Sequence, residues 1–343
     1  MENSNTFLEI LDSLDKNKPL QNKNTILIVD GLNCLMRAFA VIPTVNSKGY
    51  HVGGMVGFLK SLGSFRRQFN PSRIVVVWDG KGGATNRKNT NPNYKAQRAH
   101  ASVIHWDIYD NKSDELQSVH DQSERVLDYL DCLPVTYLKA DKLEADDIIA
   151  YVARLADFQN KDVTIVSSDK DFLQLVSEHI RVYNPVKHEI YDHDKAFNFL
   201  GVLPENYNIV KALIGDESDN IRGIKGAGIK TLIKLFPELQ SDSDYTLQKL
   251  YDDCAARLGT KKMYATIIND WDRLESNYNI MNLQETLLNN SEKSYVIHEI
   301  KRKVPELQVG RFMTLLEQDC IGELTKDTEC WLQEFSNLSQ KTL

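Results

Sequence analysis

Apolar residues along this chain keep two rhythms in alternation. Short β-branched runs, ILIV before Asp30, RIVVVW before Asp79, PVTYL at 134–138 and VTIV before Ser167, have the length and composition of buried strands. Between them, apolar positions recur three and four apart, the spacing of helices with one buried face. That spacing predicts helices over 31–40, 52–69 and about 121–131, from near 143 through LEADDIIAYVARLA, and from Lys170. RVYN and EIYD, which follow, predict a strand pair. Strands alternating with helices predict an α/β fold, a mainly parallel sheet flanked by helices. Beyond about Phe197 the spacing is helical, and no strand is expected after Asp192.

Three stretches break the rhythm. In residues 1–24, Phe7, Leu8, Ile10, Leu11 and Leu14 have helical spacing and the polar KNKPLQNKN follows as a linker. This N-terminal extension reads as a short helix docked on the protein's own surface, or as a partner-binding peptide. After Asp79, GKGGATNRKNTNPNYKAQR is too rich in Gly, Asn and Lys for a core, and residues 101–122 are polar. So long a loop within a compact domain is usually functional or mobile. The expected organisation is therefore an extension at 1–24, a core at 25–196 interrupted at about 80–122, and a helical region at 197–343.

Composition narrows the class. At 343 residues the chain can form one to three domains; it is 42% hydrophobic and 26% charged, with no apolar run long enough to span a bilayer. MENSNTFLEI lacks the basic start and apolar core of a signal peptide. Cys34, Cys132, Cys254, Cys320 and Cys330 are odd in number and never spaced C-x-x-C, which favours reduced thiols in a cytoplasm over disulfides or zinc. The net charge of −7 argues against a nucleic-acid partner only as an average. Residues 80–100 carry Lys81, Arg87, Lys88, Lys95 and Arg98 with no acid beyond Asp79, and residues 221–235 carry Arg222, Lys225, Lys230 and Lys234 with none. Such patches suit a polyanion.

Nine carboxylates carry the candidate chemistry: Asp30, Asp79, Glu144, Asp146, Asp147, Asp169, Asp171, Asp216 and Asp219. Several follow directly on a strand, and parallel strands ending side by side would gather them where open α/β sheets bind ligands. Singly, each has a plainer reading: Asp30 as a turn residue, an acid of LEADD as a helix cap. As a set they cannot stay ionised together without cations, and oxygen-only ligands favour Mg²⁺ or Mn²⁺. Asp169 and Asp171 share a side if extended, and Asp216 and Asp219 share a face if helical.

IRGIKGAGIKTLIKL places Gly223, Gly226 and Gly228 in a tight turn between helices, where the backbone can approach a phosphate and Lys225 and Lys230 add affinity. Such a hairpin can also hold a monovalent cation such as K⁺ on its carbonyls. Tyr94, Lys95 and Arg98 stand at an expected helix start, with the ring placed to stack on a base and the cations to grip phosphate. Arg37, on the helix after Asp30, can reach the same phosphates. The eight histidines form no metal spacing and no triad.

In order and spacing, IVDG, VVVWDG, NYKAQR, EADD, SSDKDFLQL and GDESDNIRGIKGAGIKT resemble the flap endonuclease/5′-nuclease family in its compact bacteriophage and bacterial form. The resemblance implies a PIN-like core, a helical arch at about 80–122 and a helix–hairpin–helix at about 215–236. It implies cleavage of 5′ flaps and 5′ ends of DNA, and of RNA primers on DNA, during replication. It makes the nine acids ligands of two Mg²⁺ ions, which Mn²⁺ can replace, Lys95 the arch-base lysine, Tyr94 its aromatic neighbour, and Arg37 and Arg98 phosphate contacts. Partners would be branched or 5′-ended DNA and RNA–DNA hybrid, with replication proteins at the termini and no membrane. The place of action would be the cytoplasm, the host's if the chain is phage-encoded. With no polymerase domain following, a stand-alone nuclease is expected. The extension and the acids Asp107, Asp110, Asp114 and Glu115 in the arch depart from the family pattern, which leaves the threading of a 5′ end open. The expected chemistry is two-metal phosphodiester hydrolysis leaving a 5′-phosphate. Two other readings remain: a PIN-type endoribonuclease, which has no need of the glycine hairpin, and a non-catalytic junction binder, which has no need of the acids.

Overall fold

The computed structural model describes residues 25–96, 103–322, 324 and 327–338. The expected extension at 1–24 and Arg98 lie outside the described residues. Six strands form one sheet: β1 (Ile26–Asp30), β2 (Arg73–Asp79), β3 (Thr136–Ala140), β4 (Val163–Val166), β5 (Ile180–Asn184) and β6 (Glu189–Tyr191). Their order is β3-β2-β1-β4-β5-β6, parallel except for the last pair. The chain winds outward from β1 through β2 to β3, then crosses to the other side of β1 and continues from β4. The order therefore reverses between β1 and β4, which opens a crevice beyond their carboxyl ends. Asp30 and the residues after Val166 stand at that crevice.

Pleating divides each strand between two cores. Ile26 and Ile28 of β1 and Val75 and Val77 of β2 face one layer; Leu27, Val29, Ile74 and Val76 face the other. Around the sheet lie α1 (Gly31–Val41), α2 (Gly53–Phe69), α3 (Thr85–Thr90), α4 (Lys112–Leu130), α5 (Ala145–Phe158), α6 (His193–Leu200) and α7 (Tyr207–Ile214). Beyond them come α8 (Ile229–Leu235), α9 (Leu247–Ala256), α10 (Lys262–Asn269), α11 (Trp271–Met281), α12 (Asn290–Lys301), α13 (Val309–Gln318) and α14 (Thr328–Gln333). Helices α13 and α14 return to the α2 side of the sheet, burying Phe312, Leu316, Trp331 and Leu332 in the second core.

Four expectations are corrected. Helix α4 starts at Lys112, not near 121, because Asn111 caps it by accepting from the Asp114 amide; its early turns bury little beyond Glu115, so they carry no apolar rhythm. Lys170–Leu175 is a single 3₁₀ stretch rather than an α-helix. Gly215–Asp216 and Ile221–Arg222 form a small antiparallel pair, β7 and β8, too short to show a period of two. Tyr94 and Lys95 sit in a turn, with Lys95 at φ 57°, rather than in the first turn of a helix.

Candidate active site

Strand ends bring the acids together, and local hydrogen bonds fix their direction. Asp30 closes β1 and caps α1, accepting from the Asn33 amide at 3.1 Å and from Ser167 Oγ at 2.9 Å. Asp79 closes β2 and caps α5 from outside, accepting from the Ala145 amide at 2.9 Å. Asp146 and Asp147 lie in the first turn of α5. Asp169 caps the 3₁₀ turn, accepting from the Asp171 amide at 2.8 Å, while its own amide donates to Ser167 Oγ at 3.1 Å. Asp169 and Asp171 thus converge through a cap, not through extended alternation. Asp216 turns its carboxylate onto its own hairpin, accepting from the Ser218 amide at 2.9 Å and from Ser218 Oγ at 2.6 Å.

Six of the nine acids, Asp30, Asp79, Asp146, Asp169, Asp171 and Asp219, line one cleft of about 270 Å³, with Arg37, Tyr94 and Lys95 on its walls. Burial pushes Asp30 up to about 7, and the charges of Asp79 and Asp169 add to this. Asp146 is raised well above the carboxylate range, first by burial and then by Asp30 and Asp169. Burial is the larger cause of both shifts, and neighbouring carboxylates add to it. Asp171 Oδ1 is buried without a hydrogen-bond partner. A hard divalent cation fits this donor set in its chemistry. As placed, the carboxylates ring the cleft; among the described residues no three acids, histidines or cysteines converge on one point.

Internal cations hold the other three acids, and Asp171 with them. Arg87, buried, pairs with Glu144 and, at 2.8 Å, with Asp147, and its Nε donates to the Ile280 carbonyl at 3.0 Å. Glu144 also accepts from Lys95 Nζ at 2.7 Å and from the Tyr94 hydroxyl at 3.2 Å. Burial opposes the charge on Glu144, yet Arg87 and Lys95 outweigh it and hold the group below its ordinary range. Lys211 pairs with Asp171 and lies 3.4 Å from Asp216. Arg87 entered the sequence reading only as part of a basic stretch, and Lys211 not at all. Its signal was there: Lys211 is the one charged residue of the apolar YNIVKALI helix.

Arg37 Nη1 is buried in the cleft region without a hydrogen-bond partner. Tyr94 is 3% exposed, so its ring is not the open stacking platform that its sequence context suggested. The Lys95 amide donates to the Asp219 carbonyl at 3.0 Å, and Asn220 Nδ2 donates to the Asn93 carbonyl at 2.9 Å, which stitches the turn at 93–95 to the β7–β8 turn. Beyond that turn, Lys225, Gly226, Gly228 and Lys230 are exposed, while Gly223 packs tightly: a Cβ there would lie 1.9 Å from the Ile214 carbonyl oxygen.

An acid-lined crevice at a strand-order reversal, next to an exposed glycine–lysine hairpin, marks a doubly wound α/β fold with its site at the strand ends, and solved structures share that fold. Bacteriophage T5 flap endonuclease, in a pseudo-enzyme-product complex with DNA and metal ions, superposes with a TM-score of 0.62 at 19% identity, covering 86% of this chain and 99% of that one. Human GEN1 in complex with Holliday junction DNA gives 0.57 at 14% identity, covering 97% and 77%. In sequence, a 5′-3′ exonuclease of Aquifex aeolicus is 34% identical over 218 residues, 63% of this chain and 70% of that protein. One of Bacillus subtilis is 33% identical over 230 residues, 64% and 72%. DNA polymerase I of Streptococcus pneumoniae strain R6 is 31% identical over 258 residues, but this chain spans only 27% of its length. The model of the 5′-3′ exonuclease N-terminal, resolvase-like domain matches residues 25–201, more than half of the chain. The chain belongs to the 5′-3′ exonuclease family and is a nuclease.

Proposed function

We propose that this chain is a structure-selective 5′-nuclease that hydrolyses phosphodiesters at 5′ flaps and 5′ ends of DNA, and at RNA primers on DNA, leaving 5′-phosphates. The carrying observation is the cleft in which six carboxylates face Lys95 and Arg37. Two Mg²⁺ ions, which Mn²⁺ can replace, would be held there by Asp30, Asp79, Asp146, Asp169, Asp171 and Asp219, with Glu144, Asp147 and Asp216 around them. Bound, they would supply Lewis-acid activation of a water and neutralisation of the scissile phosphate. Lys95 and Arg37 orient the phosphate and offset charge building on its oxygens. Gly226, Gly228, Lys225 and Lys230 grip duplex backbone without reading sequence, on a turn that the packed Gly223 sets, with K⁺ as a candidate carbonyl-bound ion. Tyr94 positions Glu144, and Arg98 is a further candidate phosphate contact. We assign residues 25–196 to the nuclease core and 197–343 to a helical region that binds DNA through its helix–hairpin–helix at about 215–236, with replication proteins as partners at the termini and the cytoplasm as the place of action. Among the described residues no helix is long and apolar enough to cross a membrane.

The test is a 5′-flap duplex labelled on the flap strand, incubated with the protein and Mg²⁺, with EDTA and Asp171→Asn as controls. Metal-dependent cuts at the junction, lost in the variant, are expected. Release of mononucleotides alone would make the enzyme an exonuclease with a restricted arch. Tight binding without cutting would leave a junction-binding protein.

A further inference from the structure

We infer that a second pocket, opening beside Asp169, is a subsite for one unpaired nucleotide of the substrate strand. The inference rests on the nuclease reading above. The pocket holds about 320 Å³, within the roughly 300–1,000 Å³ of small-molecule sites. Its floor is apolar, built from Leu173, Val182 and Tyr191, all nearly inaccessible. Phe199, from the end of α6, stands at its side and is 50% exposed. An aromatic ring left half open at the rim of an apolar pocket is a surface for stacking a flat group.

The rim carries the complementary charge. Lys170 and Lys187 are both exposed, and neither is placed in an ion pair with a described acid; Lys187 Nζ instead lies 4.8 Å from the centre of the Phe199 ring. Nearby Lys195, by contrast, has Glu189 at 3.6 Å. Lys170 acts on Asp216 and Lys187 on Glu189 only beyond ion-pair distance, so both ammonium groups can turn to a phosphate on either side of a base. A base on Phe199 would take the ring face that the Lys187 ammonium now covers, which frees that ammonium for phosphate.

Position selects the strand as the occupant. Asp169 lines both the acid cleft and this pocket, so whatever fills the pocket lies beside the scissile region. On the other side Gly201, one residue past α6, packs on Ile233 and Ile229 of α8, the helix that follows the glycine hairpin. The pocket therefore adjoins the acids directly, and α6, which supplies Phe199, ends against the helix that follows the glycine hairpin. Its occupant is unpaired because a paired base has both faces stacked in the duplex and cannot reach an enclosed floor.

The experiment uses the full chain and a 5′-flap duplex with 2-aminopurine at the unpaired nucleotide next to the junction, in EDTA so that nothing is cut. Binding should quench the probe. Phe199→Ala should abolish the quench and weaken binding about tenfold, and Phe199→Trp should keep both. Lys187→Gln should lower the slope of log affinity against log salt by about one. Unchanged quench and affinity in Phe199→Ala, with a melting curve like that of the wild type, would overturn the subsite. So would Phe199-dependent competition by dAMP alone, which would make it a free-nucleotide site. Wild-type cleavage of the same flap in Mg²⁺ separates the two failures: cutting with no effect at Phe199 removes only the subsite. No cutting and no binding removes the nuclease reading and the subsite with it.

Discussion

At the scale of single residues, the cleft buries carboxylates, and the consequences can be signed. Asp30 is raised to about 7 by burial, with Asp79 and Asp169 adding to it, whereas an unfolded aspartate titrates near 3.9. Between about pH 4 and 7 the folded chain therefore binds more protons than the unfolded one. Without divalent ions, its stability should fall as pH rises through that window. Asp30→Asn removes the penalty while retaining an acceptor for Ser167 Oγ. In EDTA at pH 8 the variant should be the more stable protein, by up to about 4 kcal/mol, with the difference vanishing near pH 4. The same substitution should cost cleavage more than the roughly 10–100-fold that losses around a metal site cost. Urea midpoints against pH, read beside flap cleavage in Mg²⁺, check both halves. A variant less stable than the wild type at pH 8 would show that the Asn33 and Ser167 bonds outweigh burial.

At the scale of elements, the glycine hairpin separates fold from function within a few residues. Gly223 is packed against backbone, its Cβ position 1.9 Å from the Ile214 oxygen and 2.7 Å from the Gly215 nitrogen. Gly228 has nothing within 4 Å and an ordinary φ of −101° as the cap of α8. Gly223→Ala should therefore destabilise by about 1–3 kcal/mol or more and weaken duplex binding. Gly228→Ala should leave the melting temperature unchanged and weaken binding alone, because only the approach of phosphate is blocked. The sequence showed that these glycines cluster, since the spacing of Gly223, Gly226 and Gly228 is visible, but not that one faces in and the others out. The same limit applies to the acids. Asp30, Asp79 and Asp169 were legible because buried β-branched runs end beside them. That Glu144 and Asp147 turn to Arg87, and Asp171 to Lys211, was not, because those cations come from 57, 60 and 40 residues away and ion pairs leave no periodic trace. Helix α4 and the β7–β8 pair escaped for a related reason: one has a polar early face, and the other is shorter than its own period.

At the scale of the whole molecule, the region after the hairpin is part of the nuclease body rather than an appendage to it. Arg73 at the start of β2 donates to the Ile300 carbonyl of α12, and Arg125 and Tyr129 of α4 both bind the Asp319 carboxylate, at 2.9 and 2.7 Å. The deepest joint is Trp331. It is 3% exposed and rests on Gly63 of α2, where a Cβ would meet the indole nitrogen at 1.9 Å. Helix α2 thus leaves room for a side chain 268 positions later in the sequence, and α2 packs along α1, the helix that starts at Asp30. If the C-terminal region were a separable module, Trp331→Ala would loosen α13 and α14 locally and leave a two-step unfolding curve. Since the indole completes the second core of the sheet, we expect one cooperative transition shifted by about 3–5 kcal/mol, measured by urea denaturation followed at both far-ultraviolet dichroism and tryptophan fluorescence. DNA affinity per folded molecule should not change, because the indole packs on Gly63, Phe312 and Phe335 in the second core and does not line the acid cleft. Coincident transitions with unchanged affinity would make the C-terminal helices a structural brace for α2 and, through it, for the carboxyl end of β1.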